Sequence, residues 1–255
     1  MIFKRADNRK MTGLVDVHCH VLPGLDDGSH DISETMEMLH IAVDEGITDM
    51  MVTPHFNSGG RSAPPEVVLQ TLQNVQAVVQ QEGLPIRLFP GNEVYYFSDL
   101  PRYLQEHRVL TMNGSKHVLI EFSPSVMFRT LQNAMEDVLG VGYTPILAHV
   151  ERYNCMLEDS EYVDFLRDMG VQIQVNASSI VGKSGTSVKK FVFELLQDGL
   201  VNYVGTDSHG CEHRTPQIAK CRNILSKKFS PSYVDRILRD NAMQAFGLNN
   251  NDRRE

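Results

Sequence analysis

Cysteine is scarce and unpatterned in this chain. The four, Cys19, Cys155, Cys211 and Cys221, form no Cys-x-x-Cys pair and their spacing describes no disulfide framework, which points to a reducing compartment. None has an arginine six residues on, so the phosphate-cradling loop of a cysteine phosphatase is missing. A Gly-x-x-x-x-Gly-Lys-Ser/Thr loop and a Gly-x-Ser-x-Gly turn are missing too, which leaves nucleotide-binding and serine-hydrolase readings without support. No stretch approaches the roughly 18 apolar residues of a membrane span. The first residues, Met1 to Gly13, carry Lys4, Arg5, Arg9 and Lys10 but no apolar core, so they do not read as a signal peptide. A basic excess is also lacking: 24 Lys and Arg stand against 32 Asp and Glu, a net charge of −8, which argues against a non-specific nucleic-acid binder. These absences together predict a cytoplasmic protein with no membrane insertion and no nucleic-acid partner.

What is present is alternation. With 255 residues, 42% of them hydrophobic, the chain can bury a sizeable core. After a flexible arm (residues 1–13), strands are expected at Leu14 to Val17, Ile47 to Thr53, Ile86 to Phe89, Val118 to Ile120, Pro145 to Ala148, Val171 to Val175 and Asn202 to Gly205. Helices are expected between and after them: Ser33 (as N-cap) to Gly46, Pro65 to Glu82, Leu100 to Glu106, Thr130 to Leu139, Glu161 to Met169, Val188 to Gln197, Pro216 to Lys227 and Pro231 to Phe246. A disordered tail, 249–255, follows. About seven βα units with no repeat and no linker predict a single α/β domain, residues 14–248, with a parallel sheet and outer helices. Seven units suit a closed TIM-like barrel better than an open doubly wound sheet.

The informative pattern is where the polar residues fall. The strand ends carry His18 and His20, His55, Glu93, Glu121, His149, Asn176, and Asp207 with His209. In a (β/α) barrel those ends share one mouth. Residues i and i+2 of a strand point to the same side, so His18 and His20 project together and Cys19 points away. Carboxylates and imidazoles converging there need a charge partner, because buried unpaired ions cost several kcal/mol each. Divalent metals supply it. Nitrogen and oxygen donors without thiolate point to Mn, Fe, Zn or Co, and the number of donors implies at least two ions. Paired metals activate a water and clamp the oxygens of a phosphate or carbonyl group, and phosphate ester hydrolysis is the leading class. Arg152 and Arg214 could bind phosphate oxygens. His30, His40, His107, His117 and His213 read as mostly solvated, with His213, beside Arg214, the exception to watch. Tyr95, Tyr96 and Phe97 read as packing more readily than as a stacking surface.

The run Asp16-Val17-His18-Cys19-His20-Val21-Leu22-Pro23-Gly24-Leu25-Asp26-Asp27-Gly28 resembles the opening motif of the PHP (polymerase and histidinol phosphatase) family. Thr53-Pro54-His55, Gly91-Asn92-Glu93-Val94-Tyr95-Tyr96, Leu119-Ile120-Glu121-Phe122, Ala148-His149-Val150-Glu151-Arg152-Tyr153 and Thr206-Asp207-Ser208-His209 extend the resemblance to one branch. That branch holds the bacterial manganese-dependent protein-tyrosine phosphatases of capsule and exopolysaccharide synthesis. The match runs from about Leu14 to Leu248, and the polar arm before it departs from the usual start of the family. The resemblance implies a distorted (β/α)7 barrel and a centre of three Mn2+ ions (Fe, Co or Zn as alternatives). By position, His18, His20, Glu93 and Asp207 would hold the first metal. Glu93, Glu121 and His149 would hold the second, with Glu93 bridging, and Asp27, His55 and His209 the third. Arg152 and Arg214 match the phosphate-binding arginines.

The mechanism so implied is in-line attack on phosphorus by a metal-bridging hydroxide, with Asp207 or His209 moving the proton to the phenolate. The implied substrate is a phosphotyrosyl protein, such as a bacterial tyrosine kinase, and the reading admits a homo-oligomer. Rival readings are a small-molecule PHP phosphatase acting on histidinol phosphate, a PHP nuclease, an amidohydrolase, and a regulatory scaffold without turnover. The amidohydrolase reading is the weaker for lacking its usual lysine: the fourth strand ends here in Glu121.

Overall fold

The computed structural model describes residues 13–60 and 62–248. The expected arm, apart from Gly13, and the tail at 249–255 lie outside the described residues. Nine strands are found among those described: β1 (Leu14–Cys19), β2 (Ile47–Val52), β3 (His55–Phe56), β4 (Arg87–Pro90), β5 (Glu93–Tyr95), β6 (His117–Glu121), β7 (Thr144–Leu147), β8 (Gln172–Asn176) and β9 (Tyr203–Gly205). All pairings between them are parallel, in two sheets of order β1-β2-β4 and β3-β5-β6-β7-β8-β9. A parallel bridge from Cys19 to Ser208 brings β1 beside the segment after β9. There Asp207 N–H donates to His18 O (2.8 Å) and His20 N–H to Ser208 O (2.9 Å). The result is a mixed α/β fold with a curled parallel sheet.

Two of the expected strands are each split. Pro54 has no N–H to give to a ladder and ends β2, so His55 opens a new short strand instead of closing the old one. Pro90-Gly91-Asn92 breaks the neighbouring strand in the same way, and Glu93 opens β5. The gap is closed by Pro54 O, which accepts the side-chain N–H of Asn92 (2.9 Å) and the backbone N–H of Glu93 (3.2 Å).

Helices cover the outer face through apolar stripes. In Phe128–Gly140 the buried positions are Leu131, Ala134, Met135 and Val138, a spacing of i, i+3, i+4, i+7. Pro65–Glu82 buries Val68, Leu72, Val75 and Val79. It stops at Gly83, whose left-handed φ of 65° suits the residue without a Cβ. The first helix runs Ile32–Asp44, and its N-cap is Asp31, not Ser33. The Asp31 carboxylate accepts Glu34 N–H at 3.0 Å, the bond a capping side chain makes to the third helical residue. The expected C-terminal helix is three consecutive segments, Pro231–Asp235, Arg236–Asp240 and Asn241–Ala245, the middle one a wide π turn. Short helices at Asn154–Glu158 and Ala177–Val181 were not foreseen.

The larger core lies between helices and sheets. A smaller one gathers Val15, Val17, Met51, Leu119, Ile146 and Tyr203 against Phe246, the residue that caps the last helical segment. Each such side chain contributes about 1.5–3 kcal/mol when withdrawn from water. Val15 and Val17 thus anchor the strand whose far end carries the histidines.

Candidate metal centre

β1 is fixed at the carboxylate of Asp16. This fully buried group accepts the backbone N–H (2.9 Å) and hydroxyl (2.5 Å) of Thr206 and the N–H of His18 (3.2 Å). Burial pushes its pKa up to about 6 in spite of those bonds. Gly205 is needed for the approach, since a Cβ there would meet His18 Cβ at 2.7 Å.

Beyond that anchor His18 and His20 converge, their Nε2 atoms 3.2 Å apart. Their outer nitrogens are held from behind. His18 Nδ1 lies 3.3 Å from Gln174 Oε1, His20 Nδ1 lies 2.7 Å from Asp26 Oδ2, and His209 Nδ1 lies 3.1 Å from the backbone O of Asp207. Each acceptor favours a proton on Nδ1 and leaves Nε2 facing inward, as a metal-binding imidazole requires.

Glu93 occupies the middle. Its Oε2 is 3.1 Å from His18 Nε2, 3.2 Å from His20 Nε2 and 3.1 Å from His55 Nδ1, and its Oε1 is 2.8 Å from His149 Nε2. Glu121 reaches the same two outer imidazoles, at 3.1 Å from His55 Nδ1 and 3.7 Å from His149 Nε2. Asp207 Oδ1 lies 3.6 Å from His18 Nε2 and 3.7 Å from His20 Nε2. Asp27 Oδ1 lies 3.4 Å from His55 Nε2 and 3.6 Å from His209 Nε2. On the outer edge of Asp207, Arg214 donates to Oδ1 (2.6 Å), while Arg152 and Asn176 donate to Oδ2.

All nine expected ligands and both arginines therefore come together. Three groups have donor atoms within 4.8 Å of one another: His18, His20 and Asp207; His55, Glu93 and Glu121; and His20, Asp27, His55 and His209. His149 stands outside these groups although it touches Glu93, and His20 and His55 each serve two of them. Such spacings fit donors sharing ions at metal–ligand distances of about 2.0–2.6 Å. The donors are nitrogen and oxygen only. Cys19, as expected, points away, its Sγ 3.5 Å from Met51 O.

The electrostatics agree with a site built for cations. Burial, the largest influence on Glu93, opposes its charge, but His18 and His149 outweigh it and hold the carboxyl well below its ordinary value. Asp207 is likewise depressed: burial is overcome by His18 and Arg152. Burial also opposes charge on His18 and His20. Glu93 and Asp207 around His18, and Asp26 and Glu93 around His20, push both imidazoles up to about 9. Asp26 falls to about 2, with the His20 contact overcoming burial. His209 behaves oppositely, driven down to about 4 by burial and then by His20 and Arg214.

The family model of the capsular polysaccharide synthesis proteins CpsB/CapC matches residues 14–247. The chain belongs to the CpsB/CapC family. It is 29% identical over 229 residues to the tyrosine-protein phosphatase YwqE of Bacillus subtilis, covering 90% of each chain. It is 27% identical over 234 residues to the tyrosine-protein phosphatase CpsB of Streptococcus agalactiae, covering 90% of this chain and 96% of that one. A crystal structure from work on YwqE of Bacillus subtilis and CpsB of Streptococcus pneumoniae, described as unique metal-dependent tyrosine phosphatases, matches with a TM-score of 0.86 at 28% identity. That match covers 92% of this chain and 94% of the other.

In this CpsB/CapC chain Asn176 was foreseen as a strand-end residue, but Gln174, Glu151 and Asp26 behind the centre were not. Gln174 Oε1 accepts the backbone N–H of His149 at 2.7 Å, and Gln174 Nε2 donates to Asn176 Oδ1 at 2.8 Å. The buried Glu151 accepts Asn176 N–H at 2.9 Å. Gln174 and Asn176 stand at i and i+2 of β8, so the strand period offered a signal for Gln174. Asp26 had none, standing beside the expected Asp27. Three site residues, His149, Asp207 and Arg214, hold positive φ (33°, 53° and 48°), a region costly for side chains and common where surroundings over-determine a functional conformation. Among the other histidines, His30 and His40 pair with Glu34 and Glu82 at the surface, and His213 is exposed. His117 is half-buried, edge-on to the Phe246 ring at 5.6 Å. Tyr96 stacks on Phe122 (5.2 Å), Phe97 packs edge-on to Tyr103 (4.9 Å), and Tyr95 is exposed.

Proposed function

We propose that this chain is a metal-dependent protein-tyrosine phosphatase acting on a phosphotyrosyl protein of capsule or exopolysaccharide synthesis, such as a bacterial tyrosine kinase. One observation carries the reading: Asp207 links the His18–His20–Glu93 cluster to two arginines on its open side. Family membership supports it. The gradient of exposure also supports it: His18 and His20 are fully buried, whereas Arg152 (42%), Arg214 (44%) and Asp27 (69%) stand at the rim. A centre that opens through its own arginines suits a phosphate presented on a protein chain.

The ligands proposed are His18, His20, Glu93 and Asp207 for a first ion, Glu93, Glu121 and His149 for a second, and Asp27, His55 and His209 for a third, with Mn2+ as the ion. Bound ions would supply acidified water and charge neutralisation on the phosphate. Arg152 and Arg214 bind its non-bridging oxygens and offset the charge that gathers there in the transition state. Gln174, Asn176 and Asp26 orient His18, Asp207 and His20 from behind. Asp207 or His209 would assist proton transfer to the departing phenolate. The same reading takes residues 14–248 as one domain. It takes the curled sheet, with β2–β3 and β4–β5 counted as two broken strands, as a distorted (β/α)7 barrel. Its location is cytoplasmic, a choice supported by four free thiols.

The test is phosphate release by protein stripped of metal and then given Mn2+, on a phosphotyrosyl peptide, a phosphoseryl peptide and histidinol phosphate. Mn-dependent release from the first alone is expected. Preference for histidinol phosphate would move the function to small-molecule metabolism.

A further inference from the structure

Next to the arginine edge of the centre lies a pocket of about 290 Å³ that the chemistry above does not use. Arg152, Arg214 and Asp207 form its inner wall, and Lys183 and Lys220 line it as well. Four cations thus face one carboxylate. Both arginines are already engaged with that carboxylate. Lys183 Nζ touches only a neutral group, Gln217 Oε1, at 3.2 Å. Lys220 makes no ion pair among the described residues. The nearby Glu45 carboxylate is taken up by the backbone N–H groups of Ile218 (2.9 Å) and Ala219 (2.7 Å). Two of the three unneutralised positive charges of the pocket therefore sit on the lysines. Val181 is the one aliphatic residue of the lining.

We propose that the pocket is an anion subsite in which Lys183 and Lys220 bind a carboxylate side chain of the substrate peptide, next to the phosphotyrosine. The proposal rests on the phosphatase reading and adds a sequence preference to it. An extended peptide advances about 3.3–3.6 Å per residue. The pocket shares Asp207, Arg152 and Arg214 with the metal centre, so the acidic residue lies one or two positions from the phosphotyrosine. The lysines are exposed, so the attraction is felt on approach as well as in the complex, and salt weakens it.

The experiment compares kcat/KM for three phosphotyrosyl peptides that differ only in flanking residues, Glu, Ala or Lys at the two positions on either side. p-Nitrophenyl phosphate is assayed beside them. The Glu peptide is expected to exceed the Lys peptide by about tenfold at low salt, with the ratio shrinking as salt rises. In the K183A/K220A protein the ratio should collapse toward one, and Lys220→Glu should favour the Lys peptide. Equal kcat/KM for the three peptides, or a Glu preference that survives in K183A/K220A, overturns the subsite and leaves the phosphatase reading intact. No turnover of any peptide or of p-nitrophenyl phosphate overturns both.

Discussion

Gln174→Leu is the most searching test of how the centre is held. The side chain is fully buried and touches no position where substrate or ion is proposed to bind. Its amide joins three groups: His149 N–H at 2.7 Å, His18 Nδ1 at 3.3 Å and Asn176 Oδ1 at 2.8 Å. Leucine fills similar space and satisfies none of them. A buried group left without its partner costs about 1–3 kcal/mol, so two clear losses, His149 N–H and Asn176 Oδ1, cost about 2–6 kcal/mol. Most of that range lies below the stability of a typical domain, about 5–15 kcal/mol, so the protein is expected to fold. At about 2–4 °C per kcal/mol for a chain of this size, metal-free Tm falls by roughly 10 °C. The larger effect is on the centre, because removing a group behind a ligand typically lowers metal affinity by about 10–100-fold. Competition of the stripped protein with a chelator for Mn2+ measures this. Gln174→Glu separates the links: it keeps an acceptor for His149 N–H and loses the donor to Asn176, so its affinity should fall between wild type and Leu. A Leu variant with wild-type Mn2+ affinity would refute the reasoning, whatever its Tm.

Other predictions use the same assays. His149→Ala and Asp207→Ala should lose turnover by several orders of magnitude while keeping a cooperative unfolding transition; near-wild-type turnover in His149→Ala would remove the shared-ion assignment. Arg152→Ala should raise KM for phosphotyrosyl peptide by about 10–100-fold, as loss of a charge-assisted phosphate contact does, and an unchanged KM would free Arg152 of that role. Metal uptake should release protons, because His18 and His20 have pKa values near 9 without metal and must be neutral to bind it. Mn2+ affinity should accordingly tighten from pH 6.5 to 9, and calorimetry in buffers of different ionisation heat would detect the protons. The same raised values stabilise the metal-free fold fully below about pH 6.5, the ordinary histidine value, and that contribution is lost as pH rises through 9. Metal-free Tm should therefore drop across that window, and a flat profile would contradict the raised values. Gly205→Ala should push His18 aside and lower Mn2+ affinity.

The candidate ligands other than Asp27 were legible in the sequence because each sits at or near a strand end, and strand ends of parallel units meet; Asp27, in the loop after β1, was named only through the family resemblance. His18 and His20, Glu121, His149 and Asp207 needed only the strand period and the βα alternation. His55 and Glu93 were found for a reason that was partly wrong. The prolines before them were read as the ends of strands, whereas they are breaks from which a second short strand resumes. Glu93 is central because of that restart. Asp26 and Gln174 were hidden, since an acceptor behind an imidazole is defined by a distance across the sheet and by no local pattern. The positive φ of His149 and Asp207 was hidden for the same reason: neither residue type announces it, and the surrounding bonds impose it.

The bond from Thr206 to Asp16 joins residues 190 positions apart. At a synthesis rate of about 5–20 residues per second, roughly 10–40 s pass between the two. During that interval the emerging chain carries His18, His20, Glu93 and His149 without Asp207 to close the set. The proposed ligand set is therefore complete only once the chain has passed Thr206 and Asp207, and an ion that bound only the native state would stabilise that closure by mass action.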